Sequence, residues 1–249
     1  MSNWQICRIR EPFKVLKQQP IRLLIATGNA GKMREYAELL AGLPFKLVSL
    51  KDMGINYEVD ETGETFEENA WLKASEYAAL SGILTLADDS GLEVDALGGD
   101  PGVRSARYGG DFCHNDQDRI KLLLKNLQDV PWEKRTARFR CVIAVAKFPD
   151  APIYPDLCRQ VEEVAPKHKG RSEGDLAPVL VAQAEGQIDG MIQYKEEGED
   201  GFGYDPVFYI PYHDKTLAEI PLSEKNLLSH RGNAAKITVE SLQKLISKS

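Results

Sequence analysis

The chain of 249 residues is long enough for one domain with a sizeable core, and its 43% apolar and 28% charged residues are typical of a globular protein. Its formal net charge of −7 disfavours broad binding to nucleic-acid polymers, which requires a dense Lys and Arg surface. No apolar run approaches the ~20 residues of a membrane span, and residues 1–20 are too polar for a secretory peptide, so we expect a cytoplasmic protein without a membrane partner.

The cysteines show no metal-binding or disulfide pattern. Cys7, Cys113, Cys141 and Cys158 are far apart and form no C-x-x-C pair. Neither a zinc site nor a disulfide framework is predicted, and we expect ordinary reduced thiols.

The first predicted element is an apolar strand that leads through a glycine turn into a helix, in the stretch "IRLLIATGNAGKMREYAELL" of residues 21–40. A Walker A loop has four residues between its first glycine and the Gly-Lys pair, and then Ser or Thr. Here two residues separate Gly28 and Gly31, and Met33 follows Lys32. A P-loop is therefore disfavoured. The helix start and the lysine could still bind a phosphate, and an ordinary strand-to-helix turn is the alternative.

A second strand, "FKLVSL", precedes an acidic loop and a well-marked helix. Thr65 and Glu68 have capping-box spacing in front of "FEENAWLKASEYAALSG", and Gly82 is expected to end this helix. Lys73 lies in its middle. Most helical lysines face solvent, but Lys73 could instead turn toward the acidic loop that contains Glu61.

Two adjacent carboxylates lie in the next stretch, "ILTLADDSGLEVDAL", which predicts two strands joined through Ser90 and Gly91. Because successive strand residues point to opposite faces, at most one of Asp88 and Asp89 should face a given cleft. A polar turn is the alternative. Carboxylates from two segments, such as Glu61 and one of this pair, could hold Mg²⁺ together with phosphate oxygens, although spacing alone does not pair them.

The middle of the chain continues the mixed α/β pattern. A Gly/Pro loop, "GGDPGVRSARYGG", precedes the amphipathic helix "NDQDRIKLLLKNLQ". The stretches "ARFRCVIAVAKF" and "PVLVAQAEGQI" are predicted strands that could pair. Between them, a polar segment of about 30 residues near 150–177 is predicted to be an insertion, a lid or a mobile loop.

The turn "GFGYDP", residues 201–206, offers two aromatic rings beside glycines. The glycines allow close backbone approach, and Phe202 or Tyr204 could stack on a nucleobase. Asp205 before proline is held extended. A structural β-turn is the alternative.

The last predicted helix starts at Ser229 and carries one apolar stripe. His230 and Arg231 fall in its first turn, where a cation opposes the helix dipole unless an acceptor lies nearby. With Lys225, these residues could donate to a carbonyl-bearing base or to a phosphate.

Taken in order, "TGNAGK", "FEENAWLKA", "LADDSGL", "GGDPGVRSARYGG", "GFGYDP" and "SHRGNA" strongly resemble the non-standard purine nucleoside triphosphate pyrophosphatases, the Ham1-like inosine/xanthosine triphosphatase family. The resemblance implies an α/β fold with a mixed central sheet, whose two lobes flank a nucleotide-binding cleft. It implies one such domain over residues 21–249 after an extension of residues 1–20, and a homodimer. It also implies Mg²⁺-dependent hydrolysis of ITP, dITP, XTP and dXTP to the monophosphate and pyrophosphate, which would remove damaged purines from the nucleotide pool.

Site roles follow from the matched motifs. Asp89 resembles the family's general base, and Asp89 and Glu61 resemble its metal ligands. The matched motifs also carry the residues expected to bind the substrate, namely Thr27, Gly28, Asn29, Ala30, Gly31, Lys32, Lys73, Ser90, Phe202, Gly203, Tyr204, Asp205, Lys225, His230 and Arg231.

Base selectivity has a simple chemical interpretation. Donors aimed at a 6-oxo group would reject adenine, whose 6-amino group is itself a donor. Guanine shares the 6-oxo group, so a pocket that leaves its 2-amino group unpaired would have to exclude it. Two other functions remain open at this point: a nucleotide-binding regulatory module without turnover, and a related pyrophosphatase for modified pyrimidine nucleotides.

Overall fold

The computed structural model describes residues 20–149 and 177–247, which form an α/β fold around a seven-stranded sheet. The strand order is β2-β1-β3-β4-β5-β6-β7. The strands are β1 Ile21–Ile25, β2 Phe45–Ser49, β3 Leu84–Val94, β4 Thr136–Lys147, β5 Val179–Ile192, β6 Phe208–Ile210 and β7 Lys215–Thr216.

The sheet is mixed, as expected. Strand β1 runs parallel to both β2 and β3, whereas every pairing from β3 onward is antiparallel. Parallel neighbours require crossover connections, which here contain helices α1 (Ala30–Leu39) and α2 (Phe66–Ser81). The predicted pairing of "ARFRCVIAVAKF" with "PVLVAQAEGQI" is confirmed, because β4 and β5 pair over almost their whole lengths.

The α-helices of the described residues are α1 Ala30–Leu39, α2 Phe66–Ser81, α3 Asp116–Asn126, α4 Leu222–Leu228 and α5 His230–Ser247. The capping box of α2 is confirmed, since the Thr65 hydroxyl accepts from the Glu68 N–H and the Glu68 carboxylate accepts from the Thr65 N–H. Gly82 ends α2 with a φ of 66°, which favours glycine. Helix α4 had no counterpart among the predicted elements.

Alternation along the strands directs neighbouring residues to opposite faces of the sheet. Leu24 and Ala87 pack on the face covered by α2. Leu23 and Leu86 pack on the other face, against residues of α1 and α5. A further apolar cluster joins α3 to the strands near β6. Successive polar side chains in the middle of β3 therefore lie in two different environments.

The expectation of two strands joined through Ser90 and Gly91 is wrong, because β3 continues through both residues. Opposite them, β4 supplies Cys141 and Arg140 as pairing partners. A Cβ on Gly91 would lie 2.3 Å from the carbonyl oxygen of Gly102. The glycine therefore permits close approach of another segment and does not form a turn.

Several predictions fall wholly or mostly outside the described residues. They are the extension of residues 1–20, the segment near 150–177, and the state of Cys7 and Cys158. Within the described residues, Cys113 and Cys141 are free thiols. No helix among the described residues is long and apolar enough to span a membrane.

Candidate active site

A cavity of about 200 Å³ lies where the middle of β3 meets the turn before α1, the Gly/Pro loop and the start of α5. Ala26 N donates to Leu86 O, so the chain leaves β1 beside the point where β3 continues into Asp88 and Asp89. The residues that line the cavity are Asn29, Lys32, Glu61, Asp89, Ser90, Gly91, Val103, Ser105, Ala106, Asp116, Arg119, Phe139, Phe202, Gly203, Tyr204, Asp205, Lys225, His230 and Arg231.

The turn before α1 is stabilised from within. The Asn29 side-chain oxygen accepts from the N–H groups of Gly31 and Lys32 at 2.7 and 3.1 Å, and Thr27 Oγ1 accepts from Asn29 N at 3.1 Å. Three backbone donors that could have met a phosphate are therefore already paired. The Lys32 ammonium is the feature of this turn best placed to meet an anion in the cavity.

The two adjacent carboxylates face opposite sides of the sheet, as the alternation predicted. Asp88 accepts from Lys32 at 2.9 Å and lies on the side of α1 and α5. Asp89 accepts from Lys73 at 2.9 Å and from Asn69 at 3.3 Å, both on α2. Only Asp89 lines the cavity.

Asp89 belongs to a chain of alternating charges at the cavity wall. Lys73 Nζ donates to both Asp89 Oδ1 and Glu61 Oε1, and Arg107 Nη1 donates to Glu61 Oε2 at 2.7 Å. Lys73 is thus not a solvent-facing helical lysine, because its side chain is only 12% exposed. We name Glu61, Lys73, Asp89 and Arg107 the Asp89 cluster.

The pKa values of the two carboxylates of this cluster are shifted in opposite directions. Burial raises the pKa of Asp89, and the neighbouring charge of Glu61 adds to the effect, so that the attraction of Lys73 does not compensate. Burial also opposes ionisation of Glu61, but Lys73 and Arg107 together lower its pKa. The surroundings therefore favour the protonated form of Asp89 and the ionised form of Glu61.

A second charged cluster surrounds Asp88, and its three cationic side chains also line the cavity. Arg231 contacts Asp88 at 3.4 Å and is also paired with Glu35, while Lys225 lies 2.9 Å from Glu35. The acceptors required to offset a cation in the first turn of α5 are therefore present. We name Lys32, Glu35, Asp88, Lys225 and Arg231 the Asp88 cluster.

The charges of the Asp88 cluster stabilise one another. Burial opposes ionisation of Asp88, yet Lys32 and Arg231 hold its pKa well below the usual range. The pKa of Glu35 is likewise lowered, because Arg231 and Lys225 outweigh its burial. These groups stay charged at neutral pH, and the cluster presents cations to the cavity.

Asp205 stabilises the turn "GFGYDP" through hydrogen bonds. The carboxylate of Asp205 accepts from Lys225 at 2.6 Å and from the N–H of Phe202 at 2.9 Å. Phe202 remains half-buried at the cavity, with the Lys225 ammonium 4.8 Å from its ring centroid. The Tyr204 ring packs in the core, and its hydroxyl donates to Ser105 O at 2.9 Å. Phe202 is thus the more available stacking ring.

His230 is a buried, neutral imidazole at the cavity. Its ring stacks on Phe139 with centroids 4.7 Å apart and an interplanar angle of 12°. Burial, together with the cations of Arg231 and Lys225, holds the pKa of His230 well below 6.5. Its Nδ1 atom is buried and has no hydrogen-bond partner within residues 20–149 and 177–247, so its hydrogen-bonding capacity is unused there.

Most of the predicted site residues come together in the structure, but not all of them do. Those that do not line the cavity are Thr27, Gly28, Ala30, Gly31 and Lys73. Lys73 is nonetheless bonded to Glu61 and Asp89, which do.

Sequence reasoning missed several polar partners, namely Glu35, Asn69, Asp88 as a buried ion-pair partner, Arg107, Asp116 and Arg119. Glu35 had one local signal, because it lies three residues after Lys32 and so on a neighbouring part of the α1 surface. Arg107 is part of the quoted Gly/Pro motif. Arg119 lines the cavity and pairs with Asp116 at 2.6 Å, and Asp116 accepts from Gly203 N.

The described residues provide no complete metal-binding site of their own. Within residues 20–149 and 177–247, no group of three or more His, Cys, Asp and Glu side chains is arranged to hold a metal ion. A cation held by Glu61 and Asp89 would therefore need further oxygen ligands from a substrate or from water.

Comparison with known proteins identifies the family. Residues 23–241 match the model of the Ham1 family. A dITP/XTP pyrophosphatase of Bacillus cereus is 43% identical over 215 residues, which are 86% of this chain and 91% of the relative. One of Geobacter sulfurreducens is 44% identical over 221 residues, which are 89% of this chain and 96% of the relative.

A solved structure agrees with this assignment. The HAM1 protein of Coxiella burnetii has a TM-score of 0.70 and 35% sequence identity, and the alignment covers 90% of this chain and 99% of that protein. Since both the family model and the relatives match nearly the whole described chain, this protein belongs to the Ham1 family.

Proposed function

We propose that this protein hydrolyses the inosine and xanthosine nucleoside triphosphates ITP, dITP, XTP and dXTP to the monophosphate and pyrophosphate. The observation that carries the proposal is the position of Asp89, which lines the same cavity as Lys32, His230 and Arg231. The dITP/XTP pyrophosphatase relatives support the reaction class. This activity would remove damaged purines from the nucleotide pool.

Asp89 is proposed as the general base for attack on the α-phosphorus. A carboxylate whose pKa is raised by burial accepts a proton from water more readily than an ordinary one. The attacking water would lose a proton to Asp89, the bond between the α-phosphorus and the bridging oxygen would break, and pyrophosphate would leave.

Two lysines are proposed to neutralise the triphosphate. Lys32 reaches the cavity from the turn before α1, and Lys73 lies beside Asp89 on α2. Phosphoryl transfer needs chiefly positioning and charge compensation, which these side chains supply. Thr27, Gly28, Ala30 and Gly31 are proposed to shape the turn that presents Lys32 to the phosphates, and Ser90 would contact the substrate.

Mg²⁺ is proposed as the cofactor, with Glu61 and Asp89 as its protein ligands. The residues fit such an ion, because both carboxylates bond the same Lys73 ammonium and so already face one cation. A bound Mg²⁺ would supply charge neutralisation and Lewis acidity at the phosphates.

The purine is proposed to lie against Phe202, with polar contacts from the start of α5. His230 offers an unpartnered Nδ1, and Arg231 donates to Ser90 Oγ at 2.9 Å at the cavity wall. Gly203, Tyr204, Asp205 and Lys225 would shape this end of the cavity. Homodimer formation and a cytoplasmic location stay predictions from the sequence.

A nucleotide panel tests the function. Pyrophosphate release would be measured with ITP, XTP, GTP, ATP and modified pyrimidine triphosphates in the presence of Mg²⁺. We expect high kcat/KM for ITP and XTP only. A GTP rate near that of ITP would contradict the selectivity argument, and absence of turnover with tight ITP binding would favour the regulatory module. A preference for pyrimidines would favour the other pyrophosphatase.

A further inference from the structure

Asp88 is a buried carboxylate that contacts two cations, Lys32 and Arg231. In the proposed function, Lys32 binds the phosphates and Arg231 binds the base. The Asp88 side chain is 1% exposed, and it does not line the cavity. On one side it meets Lys32, in the first turn of α1, and on the other it meets Arg231, in the first turn of α5.

A single oxygen atom makes all of these contacts. Asp88 Oδ2 lies 2.9 Å from Lys32 Nζ, 3.4 Å from both Nε and Nη2 of Arg231, and 3.7 Å from the thiol of Cys141. The Lys32 contact is short, whereas both Arg231 contacts are long for charged hydrogen bonds. The two cations therefore share one acceptor atom, and Lys32 interacts with it more strongly than Arg231 does.

Arg231 has two further partners among the described residues, and neither forms a hydrogen bond or an ion pair with the Lys32 side chain. Nη1 of Arg231 donates to Glu35, and Nη2 donates to Ser90 Oγ at 2.9 Å. Glu35 thus supports the same guanidinium as Asp88 but lacks the link to the phosphate side. This difference provides a matched comparison.

We propose that Asp88 is a positioning residue that couples the phosphate tail of the substrate to recognition of its base. A triphosphate draws the Lys32 ammonium away from Asp88 Oδ2, and the released carboxylate then holds Arg231 more firmly against the base. The inference rests on the proposed function, in which Lys32 meets phosphate and Arg231 meets the purine. A ligand acts at a second site in this way only through a difference in affinity between two arrangements.

The coupling predicts that the protein discriminates between bases more strongly when the ligand carries a triphosphate than when it is a nucleoside. Dissociation constants for inosine, adenosine, ITP and ATP would be obtained by calorimetry in a chelator, with displacement titration for the weakly bound nucleosides. Because Arg231 is a donor, it should favour a 6-oxo group over the 6-amino group of adenine, and we expect the ATP-to-ITP ratio of dissociation constants to exceed the adenosine-to-inosine ratio by about five-fold or more in the wild type.

Three variants separate coupling from structural support. In Asp88→Asn, both ratios should fall to one common low value. In Lys32→Gln, Asp88 is left to Arg231 alone, so both ratios should agree at the high value that the wild type shows for triphosphates. In Glu35→Gln, both ratios should fall while their difference remains.

The outcomes decide between the alternatives. Should Asp88→Asn fail to fold, Lys32→Gln still decides, since it leaves Asp88 paired with Arg231. Equal ratios in the wild type, or a tail effect that persists in Lys32→Gln, would overturn the coupling while leaving the proposed function intact. A wild type that binds no purine nucleotide would overturn both.

Discussion

Asp88 and Asp89 are neighbours in one strand, yet they belong to two different electrostatic regions. The Asp88 cluster lies between the sheet, α1 and α5, and there each carboxylate has two cationic partners: Lys32 and Arg231 meet Asp88, and Lys225 and Arg231 meet Glu35. The Asp89 cluster borders the cavity, and there two carboxylates share Lys73.

The difference shows how one residue type acquires two roles. Both aspartates are buried, and burial by itself raises the pKa of each. On the Asp88 side the cations outweigh burial and the pKa falls, whereas on the Asp89 side a second carboxylate adds to burial and the pKa rises. The first aspartate is suited to hold cations in place, and the second to accept a proton.

Removing the Asp89 carboxylate should have the largest effect. We expect Asp89→Asn to lower kcat for pyrophosphate release from ITP by about 10²- to 10⁴-fold, because general-base catalysis is lost. Binding of ITP in a chelator should change little. As a control, Asp95→Asn alters a carboxylate near the end of β3 that bonds Thr136 and Arg138 away from the cavity, and it should leave kcat unchanged. Activity of Asp89→Asn near that of this control would refute the base assignment.

Glu61→Gln tests whether the Asp89 cluster binds the metal. Loss of a residue that only hydrogen-bonds a metal ligand typically lowers metal affinity by roughly 10- to 100-fold. Removing a ligand itself should therefore raise the Mg²⁺ concentration for half-maximal activity by at least that factor. A Mg²⁺ titration of pyrophosphate release measures this shift. Glu67→Gln, on the same side of the sheet but paired with Arg140, is the control and should need no extra Mg²⁺. An unchanged Mg²⁺ requirement in Glu61→Gln would remove Glu61 from the proposed ligands.

Gly91→Ala tests the packing on the Asp89 side of β3. The added Cβ would lie 2.3 Å from Gly102 O and 2.5 Å from Ser105 Oγ, so the loop must shift. We expect the free energy of unfolding to fall by about 1–3 kcal/mol, which is the typical cost of adding a methyl group to a well-packed site. Gly28→Ala, where no atom of the described residues lies within 4 Å of the new Cβ, should change it by no more than about 0.5 kcal/mol. Urea denaturation measures both, and equal effects would show that the loop yields freely.

A smaller effect is expected from His230, which faces Arg231 and Lys225 of the Asp88 cluster. The unfolded chain takes up a proton near pH ~6.5, whereas folded His230 does so only at lower pH. The free energy of unfolding should therefore decrease as the pH falls below about 6.5, by at most about 1.4 kcal/mol per pH unit from this group.

Urea denaturation at about pH 7 and about pH 5.5 measures this dependence. His230→Gln should reduce the difference between the two pH values, and the exposed His114→Gln should retain it. If both variants kept the wild-type difference, His230 would not be held neutral by its surroundings.

Local features of the fold were readable from the sequence because they depend on near neighbours. The Thr65 capping box, the left-handed Gly82 and the opposite orientation of Asp88 and Asp89 each follow from spacing along the chain. The turn at Ser90 and Gly91 was predicted wrongly for the same reason. Local preference favoured a turn there, but pairing with β4 and contact with Gly102 made the stretch a strand.

The partners of the site residues could not be predicted from spacing. Arg107 meets Glu61 across 46 positions of the chain, and Tyr204 meets Ser105 across 99. Glu35 was overlooked because a helical glutamate is usually exposed, whereas this one lies beneath Arg231 and Lys225.

By itself the sequence determined the mixed α/β class, most element positions and the set of motifs, since these depend on periodicity, caps and residue type. Only the tertiary structure decided which cations each aspartate receives. Asp88 and Arg231 are 143 positions apart, and they meet because α5 packs on one face of the sheet while α2 packs on the other. Charge pairing in a folded protein depends on that packing, and so the division of labour between two adjacent aspartates is a property of the fold.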